Sequence, residues 1–362
     1  MKIGIITMWD TADNYGQILQ CYALQHYLRQ KGHDAFLIKT VSDVCNHKPL
    51  KKRIVSLFRK IFNIRFWSLL VFRYKLTVFD KKYGTVDRGF EKFRSGFIVS
   101  TDQVYDINML EENPPLCDAY ITGSDQVWGA VSKVNFLTFV KKRLKYSYAA
   151  SFGSNPFTRE GCLQMREMLS SFDAITVREE KGVSKCKEWN IEASRVVDPT
   201  GLLTKEDYLK IAKEPSGNGY VLIYLLGNYT DVNVGKVYRF ARCKGLEVKY
   251  IASQGRNDNY EKIFPSPTEW LGLIANAKYV FTNSYHCCMF CVYFERKFMF
   301  FKLKGIFKGM NDRFETLMKQ YSIPHVKEIE NIENIIFDYM LISEKVNEDR
   351  DKGKQILNIW FN

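Results

Sequence analysis

Residues 2–38 read KIGIITMWDTADNYGQILQCYALQHYLRQKGHDAFLI, and this stretch decides the fold. Lys2–Thr7 is a short isoleucine-rich run of the kind that forms a buried strand. Leu19, Ala23, Leu24, Tyr27 and Leu28 then recur at helical spacing across Gln17–Gln30. Gly32 supplies the usual stop after a last helical turn, and Ala35–Ile38 resumes as strand. Strand, crossover helix and second strand make a βαβ unit, which calls for a parallel sheet.

The same punctuation continues outward. Asp118–Thr122, Tyr146–Ala150, Ala174–Val177 and Val196–Val197 read as strands. Each is followed by special or charged residues: Gly123-Ser124-Asp125-Gln126, Ser151-Phe152-Gly153, Arg178-Glu179-Glu180 and Asp198-Pro199. In open α/β sheets the carboxyl edge of the strands is where ligands bind. Composition turns polar over Thr204–Gly219, which suggests a boundary there. A second series follows, with strands at Tyr220–Leu226, Glu247–Ile251, Tyr279–Thr282 and Phe298–Phe301. Helices are expected at Val232–Lys244, Pro267–Asn276, Ser284–Phe294, Asp312–Tyr321 and from about Ile332 onward. The expectation is α/β: two tandem Rossmann-like domains, 1–210 and 211–362, with a cleft between them. The final helix is a candidate to pack back on the first domain.

The 362 residues are 46% hydrophobic and 26% charged, enough for two cores and too apolar for general disorder. Lys and Arg number 53 against 40 Asp and Glu, a net charge of +13 that points to an anionic partner. The excess is concentrated. Val44–Phe79 holds no acidic residue, while Lys48, Lys51, Lys52, Arg53, Arg59, Lys60, Arg65, Arg73 and Lys75 all fall within it. Ile54, Leu57, Phe58 and Ile61 share one helical face there, so the segment reads as a basic amphipathic insertion in the first domain. No charge-free run approaches the ~20 residues of a membrane span. The opening MKIGIITMWD is too soon polar for a signal peptide. Nine cysteines without framework spacing fit free thiols in a reducing cytoplasm.

Four stretches in order carry a likeness: Asn14-Tyr15-Gly16-Gln17-Ile18-Leu19-Gln20-Cys21-Tyr22-Ala23-Leu24, Gly123-Ser124-Asp125-Gln126-Val127-Trp128, Ile175-Thr176-Val177-Arg178-Glu179 and Phe281-Thr282-Asn283-Ser284-Tyr285-His286. Asp198-Pro199 and Ser266-Pro267 fall between them. Together these resemble the polysaccharide pyruvyl transferase family, from the first strand to about Arg313, most of all its bacterial members from capsule and exopolysaccharide clusters. The resemblance implies a GT-B-like fold with the active site in the interdomain cleft. It also implies transfer of enolpyruvyl from phosphoenolpyruvate to a sugar, closing a cyclic ketal. Several relatives carry an arginine two residues before the motif histidine; here that position is Ser284.

Such chemistry needs cations for a carboxylate and a phosphate, an acid for the methylene carbon and a base for the hydroxyls. His286 is the candidate acid–base group, since imidazole titrates near neutrality; capping or core packing is the plainer reading. Asp125 is the other catalytic candidate, as a base or hydroxyl acceptor, with an N-cap as its alternative. Arg178 offers a fork that fits carboxylate and phosphate, or else an ion pair with Glu179 or Glu180. Asn14, Tyr15 and Gly16 open a helix whose backbone N–H groups can meet an anion or hydroxyl. Ser124, Gln126, Asn283, Ser284 and Arg313 complete the candidate substrate-binding set. Trp128 reads as core, or as a sugar-stacking platform. Cys287, Cys288 and Cys291 beside His286 lack the second pair of a zinc site and read as buried packing, so no metal is expected. No cofactor is expected beyond phosphoenolpyruvate as donor substrate.

For the basic segment three readings stand: an anchor on an anionic membrane surface, a nucleic-acid site, or a helix pair with a solvated face. The resemblance favours the membrane, because capsule units are built on polyprenyl diphosphate carriers at the inner leaflet. The expected place is then the cytoplasm, or the inner face of the cell membrane as a peripheral protein. No helix-turn-helix, zinc finger or RNA-reading motif appears, so a nucleic-acid partner is not expected. The acceptor is expected to be a hexose, with galactose the first candidate. The alternative activity is a nucleotide-sugar glycosyltransferase, in which Glu269 would contact a donor ribose.

Overall fold

The computed structural model describes residues 1–43, 64–153, 157–217, 219–227, 230, 232–304 and 311–362, the side chains of 64–69, 72, 312 and 313 excepted. Its strands are β1 (Lys2–Ile6), β2 (Asp34–Leu37), β3 (Ala119–Thr122), β4 (Leu144–Ala150), β5 (Ala174–Val177), β6 (Ser194–Arg195), β7 (Tyr220–Tyr224), β8 (Glu247–Ile251), β9 (Tyr279–Thr282) and β10 (Lys297–Phe300). Its α-helices are α1 (Tyr15–Gln30), α2 (Ile64–Tyr83), α3 (Phe90–Phe97), α4 (Ile107–Glu112), α5 (Arg159–Leu169), α6 (Glu180–Glu188), α7 (Lys205–Leu209), α8 (Val234–Cys243), α9 (Pro267–Asn276), α10 (Tyr285–Tyr293), α11 (Asn311–Gln320) and α12 (Tyr339–Phe361).

The described residues divide into two units: Met1–Val44, Phe90–Asp207 and Glu344–Asn362 in the first, Cys45–Gly89 and Tyr208–Ser343 in the second. The first unit is built on a six-stranded sheet in the order β2-β1-β3-β4-β5-β6, with every pair parallel. β1 therefore sits between β2 and β3, and the winding reverses there. Ile6, Phe36, Ile38, Tyr120, Leu137 and Phe139 pack in one core, and Trp128, Phe136, Phe152, Met165, Ile175 and Val177 in another. β6 comes two residues before the expected Val196–Val197, with Ser194 and Arg195 paired to Thr176 and Val177 of β5 and the Val196 N–H bonded to the Val177 carbonyl. The end of α12 packs on this unit: Trp360 stacks on Tyr146, with ring centroids 4.7 Å apart, and Asn358 accepts from Tyr27. At Gly353 a Cβ would stand 2.5 Å from Tyr148 Oη, so a side chain there would require the tyrosine hydroxyl to move.

The second unit has a four-stranded parallel sheet in the order β10-β9-β7-β8. Its winding reverses between β7 and β9. Trp270 and Phe290 meet edge to face in its core at 5.3 Å. α2 groups with this unit, whereas the sequence reading assigned its segment to the first domain. The reason lies in its partners. Tyr83 packs on Phe264 at 5.1 Å, and Asn257 Nδ2 donates to the Lys75 carbonyl at 2.8 Å. Lys48, Lys51, Lys52, Arg53, Ile54, Leu57, Phe58, Arg59, Lys60 and Ile61, which carried the amphipathic reading, lie outside the described residues. Among the described residues, no helix is long and apolar enough to cross a membrane.

Candidate functional site

Both sets of motif residues gather at a point where a sheet's winding reverses, the place where open α/β sheets form a crevice. In the first unit this is the end of β1 beside the end of β3. Thr7 Oγ1 donates to the Ser124 carbonyl at 3.2 Å. Gln20, wholly buried on α1, closes the gap. Its Nε2 donates to Thr7 Oγ1 at 3.0 Å, and its Oε1 accepts from the Ser124 N–H at 3.2 Å. Gly123 has φ +114°, and a Cβ there would meet the Tyr148 carbonyl at 2.3 Å, so the turn demands glycine.

The turn is held from below by a buried polar chain across four strand ends. Ser124 Oγ lies 2.9 Å from the Ala149 carbonyl and 3.1 Å from Asp198 Oδ2. Arg178 Nη1 donates to the same Asp198 oxygen at 3.0 Å, and its Nε to Glu179 Oε1 at 3.0 Å. Ser151 Oγ donates to Glu179 at 2.9 Å. The other oxygen of Asp198 caps the short helix Pro199–Gly201 through the Thr200 N–H. The side chains of Arg178 and Asp198 are 3% and 0% exposed. Arg178, the candidate anion clamp, joins two carboxylates here, one of them wholly buried.

Asp125 stands on top of this assembly. Its φ is +61°, a left-handed conformation that costs a non-glycine residue of order 1 kcal/mol and persists where the surroundings enforce it. Its carbonyl accepts from Ser151 N–H at 3.0 Å. Its carboxylate is half-buried and has no hydrogen bond or ion pair among the described residues. Gln126 is half-buried beside it. Trp128 is not a platform for sugar: it is wholly buried, stacked on Phe136 at 5.5 Å. Asn14 is exposed and caps α1 by accepting from Gln17 N–H at 3.2 Å. Tyr15 and Gly16 are buried, and the Tyr15 ring packs on Phe90 at 5.1 Å.

In the second unit the corresponding point is the end of β7 beside the end of β9. Asn283 bridges it, accepting from Leu226 N–H at 2.6 Å and donating to the Leu226 carbonyl at 3.0 Å. Its amide thus continues the strand pairing by one step, and it is 1% exposed. Ser284 is the N-cap of α10 through Cys287 N–H. His286 is half-buried in the first turn of that helix, with its ring edge-on to Tyr285 at 5.5 Å. Cys287, Cys288 and Cys291 are wholly buried behind it, and burial pushes the Cys288 and Cys291 thiols well up. The Arg313 side chain lies outside the described residues. Glu269 forms a capping box with Ser266 and an ion pair with Lys213 at 2.6 Å. The Lys213 hydrogen bond and the Ser266 backbone N–H hold its carboxyl below the ordinary range.

Gln20, Thr7 and the buried side of Asp198 escaped the sequence reading as parts of the site. A glutamine amid the apolar face of α1 was the one available signal for Gln20.

A family model for polysaccharide pyruvyl transferase matches residues 14–304. Compared with curated protein sequences, the chain finds no match. Among solved structures, it is similar to UDP-GlcNAc 2-epimerase of Methanocaldococcus jannaschii, at 12% identity over 99% of both chains and a TM-score of 0.53. A second structure of that enzyme, with UDP-GlcNAc and UDP, is 14% identical over 99% of both chains, with a TM-score of 0.48. The Streptomyces sp. SF2575 glycosyltransferase SsfS6 is 9% identical over 98% of this chain and 96% of its own, with a TM-score of 0.39. At these identities the likeness is one of fold: α/β, with two Rossmann-like domains as in GT-B proteins.

Proposed function

The chain belongs to the polysaccharide pyruvyl transferase family, an enzyme family, and from that premise we propose that it builds a cyclic pyruvate ketal on a hexose from phosphoenolpyruvate. A proton goes to the methylene carbon of the donor, which becomes a methyl group. A sugar hydroxyl oxygen bonds to C2 and gives up its proton. The C2–O bond to phosphate breaks, a second hydroxyl adds to the resulting oxocarbenium carbon, and its proton leaves. Phosphoenolpyruvate and a diol thus give ketal and inorganic phosphate.

His286 is the proposed acid and Asp125 the proposed base. The observation that carries this reading is Asp125: a carboxylate without a side-chain partner among the described residues, in a left-handed conformation, at the reversal point of a parallel sheet. Sites that hold a residue in a costly conformation commonly use it. Gln126 and the exposed Asn14 are left to meet acceptor hydroxyls. Arg178 acts as a positioning residue that fixes the turn carrying Asp125, and Asn283 and Ser284 do the same for His286.

The proposed acceptor is a hexose, galactose first, in a capsular or exopolysaccharide precursor of a bacterium, carried on polyprenyl diphosphate. A peripheral place at the inner face of the cell membrane goes with that carrier. In support, α2 exposes Leu70, Val71, Tyr74 and Val78 beside Arg73, Lys81 and Lys82. The nucleotide-sugar alternative is weakened by Glu269, whose carboxylate is engaged by Ser266 and Lys213.

The test is to mix the protein with phosphoenolpyruvate and tagged or lipid-linked hexosides, following phosphate and product mass together. Acceptor-dependent phosphate, with a product heavier by one pyruvate less water, is expected. Tight UDP- or GDP-sugar binding without phosphoenolpyruvate binding would replace this reading by the glycosyltransferase one.

A further inference from the structure

Past the carboxyl end of β8, buried positive charge outweighs buried negative charge. Arg256 and Lys262 both lean on Asp258, with side chains 6% and 1% exposed against 22% for the aspartate. Lys262 is saturated: its ammonium reaches the Asp258 carboxylate, the Asp258 carbonyl at 3.1 Å and the Tyr260 carbonyl at 3.0 Å. Arg256 is not. Its Nε donates to Tyr250 Oη at 2.8 Å and Asp258 Oδ2 at 2.9 Å, and its Nη1 to the Gly227 carbonyl at 3.3 Å. Among the described residues Nη2 makes no hydrogen bond. Two cations sharing one carboxylate leave a unit of positive charge, and the guanidinium edge that stays open can meet an anionic acceptor.

The position gives that acceptor a class. Gly227 follows the end of β7, and Leu226 before it is bridged by Asn283 from the end of β9. Arg256 therefore touches the segment that parts the end of β8 from the reversal point where the His286 helix begins. We propose that Arg256 binds the donor, its guanidinium taking the phosphate of phosphoenolpyruvate. The ligand's identity rests on the pyruvyl transfer reading above; the anion site itself does not.

The experiment measures steady-state kinetics for the wild type, Arg256→Gln and Arg256→Lys, with thermal melts as the control for folding. The Michaelis constant for phosphoenolpyruvate should rise about tenfold or more in Arg256→Gln and less in Arg256→Lys, which keeps the charge but loses the fork. The constant for the acceptor should stay within about twofold, a split that a merely structural arginine would not produce. An unchanged donor constant in either folded variant overturns the proposal. If the wild type fails to use phosphoenolpyruvate, the pyruvyl transfer reading has failed, and titration with inorganic phosphate decides the site by itself. Saturable binding that Arg256→Gln abolishes upholds the anion site. Equal binding in both proteins, or none in the wild type, removes it.

Discussion

The carboxyl edges of the two sheets share a plan and differ in charge. In the first unit Arg178 stands between two carboxylates, Asp198 and Glu179, with Asp125 above them. In the second a single carboxylate, Asp258, stands between two cations, Arg256 and Lys262. An acidic edge suits hydroxyl groups that must lose protons; a basic edge suits an anionic donor. The contrast is one of pairing: Arg178 meets two carboxylates, whereas Arg256 shares one carboxylate with Lys262.

The largest effect that bears on this contrast is on rate. His286→Ala and Asp125→Asn should each lower kcat by about 10²–10⁴-fold with an unchanged melting temperature. Turnover within a few-fold of wild type would take the residue out of proton transfer. Next comes stability. Arg178→Ala leaves a buried aspartate without its cation and should cost the first unit about 3–5 kcal/mol, read by urea unfolding. A folded Arg178→Lys protein with normal stability but a much higher Michaelis constant for phosphoenolpyruvate would break the contrast, making Arg178 a donor clamp.

A smaller loss is expected for Asn283→Asp. It removes the donor to the Leu226 carbonyl and sets a carboxylate there, and should cost about 1–3 kcal/mol by the same measurement. Native stability in that variant would show that the amide bridge contributes little. The smallest effect is acid sensitivity of the second unit. Burial raises the Asp258 carboxyl, but hydrogen bonds from Lys262 and Tyr250 and the charges of Lys262 and Arg256 outweigh it, so the net shift is downward. That contribution is whole above the ordinary aspartate value of about 3.9 and is lost as pH falls through the depressed one. Stability should therefore drop below about pH 4, with a shallower slope in Asp258→Asn. An identical slope in both would mean that the pair of cations does not depend on Asp258.

Much of the architecture was legible because strand and helix periods are local. The βαβ unit at Lys2–Ile38, the Pro267–Asn276 helix and the four strands of the second sheet all follow from patterns within a dozen residues. The site was legible in part, since strand ends named Asp125, Arg178 and His286. The partners of those residues were not. Asp198 lies twenty residues from Arg178, and Gln20 lies 104 from Ser124. No periodicity links residues so far apart.

The order of strands and helices, the edge on which polar residues collect and the family likeness belong to the sequence itself, because backbone propensity and apolar spacing act over short range. Only the tertiary structure decided which unit receives α2, that Trp128 is core, that Asn283 bridges two strand ends and that Arg178 and Arg256 have different partners. Burial and charge pairing are set by residues distant in the chain, and a side chain's chemistry is what its neighbours leave it free to do.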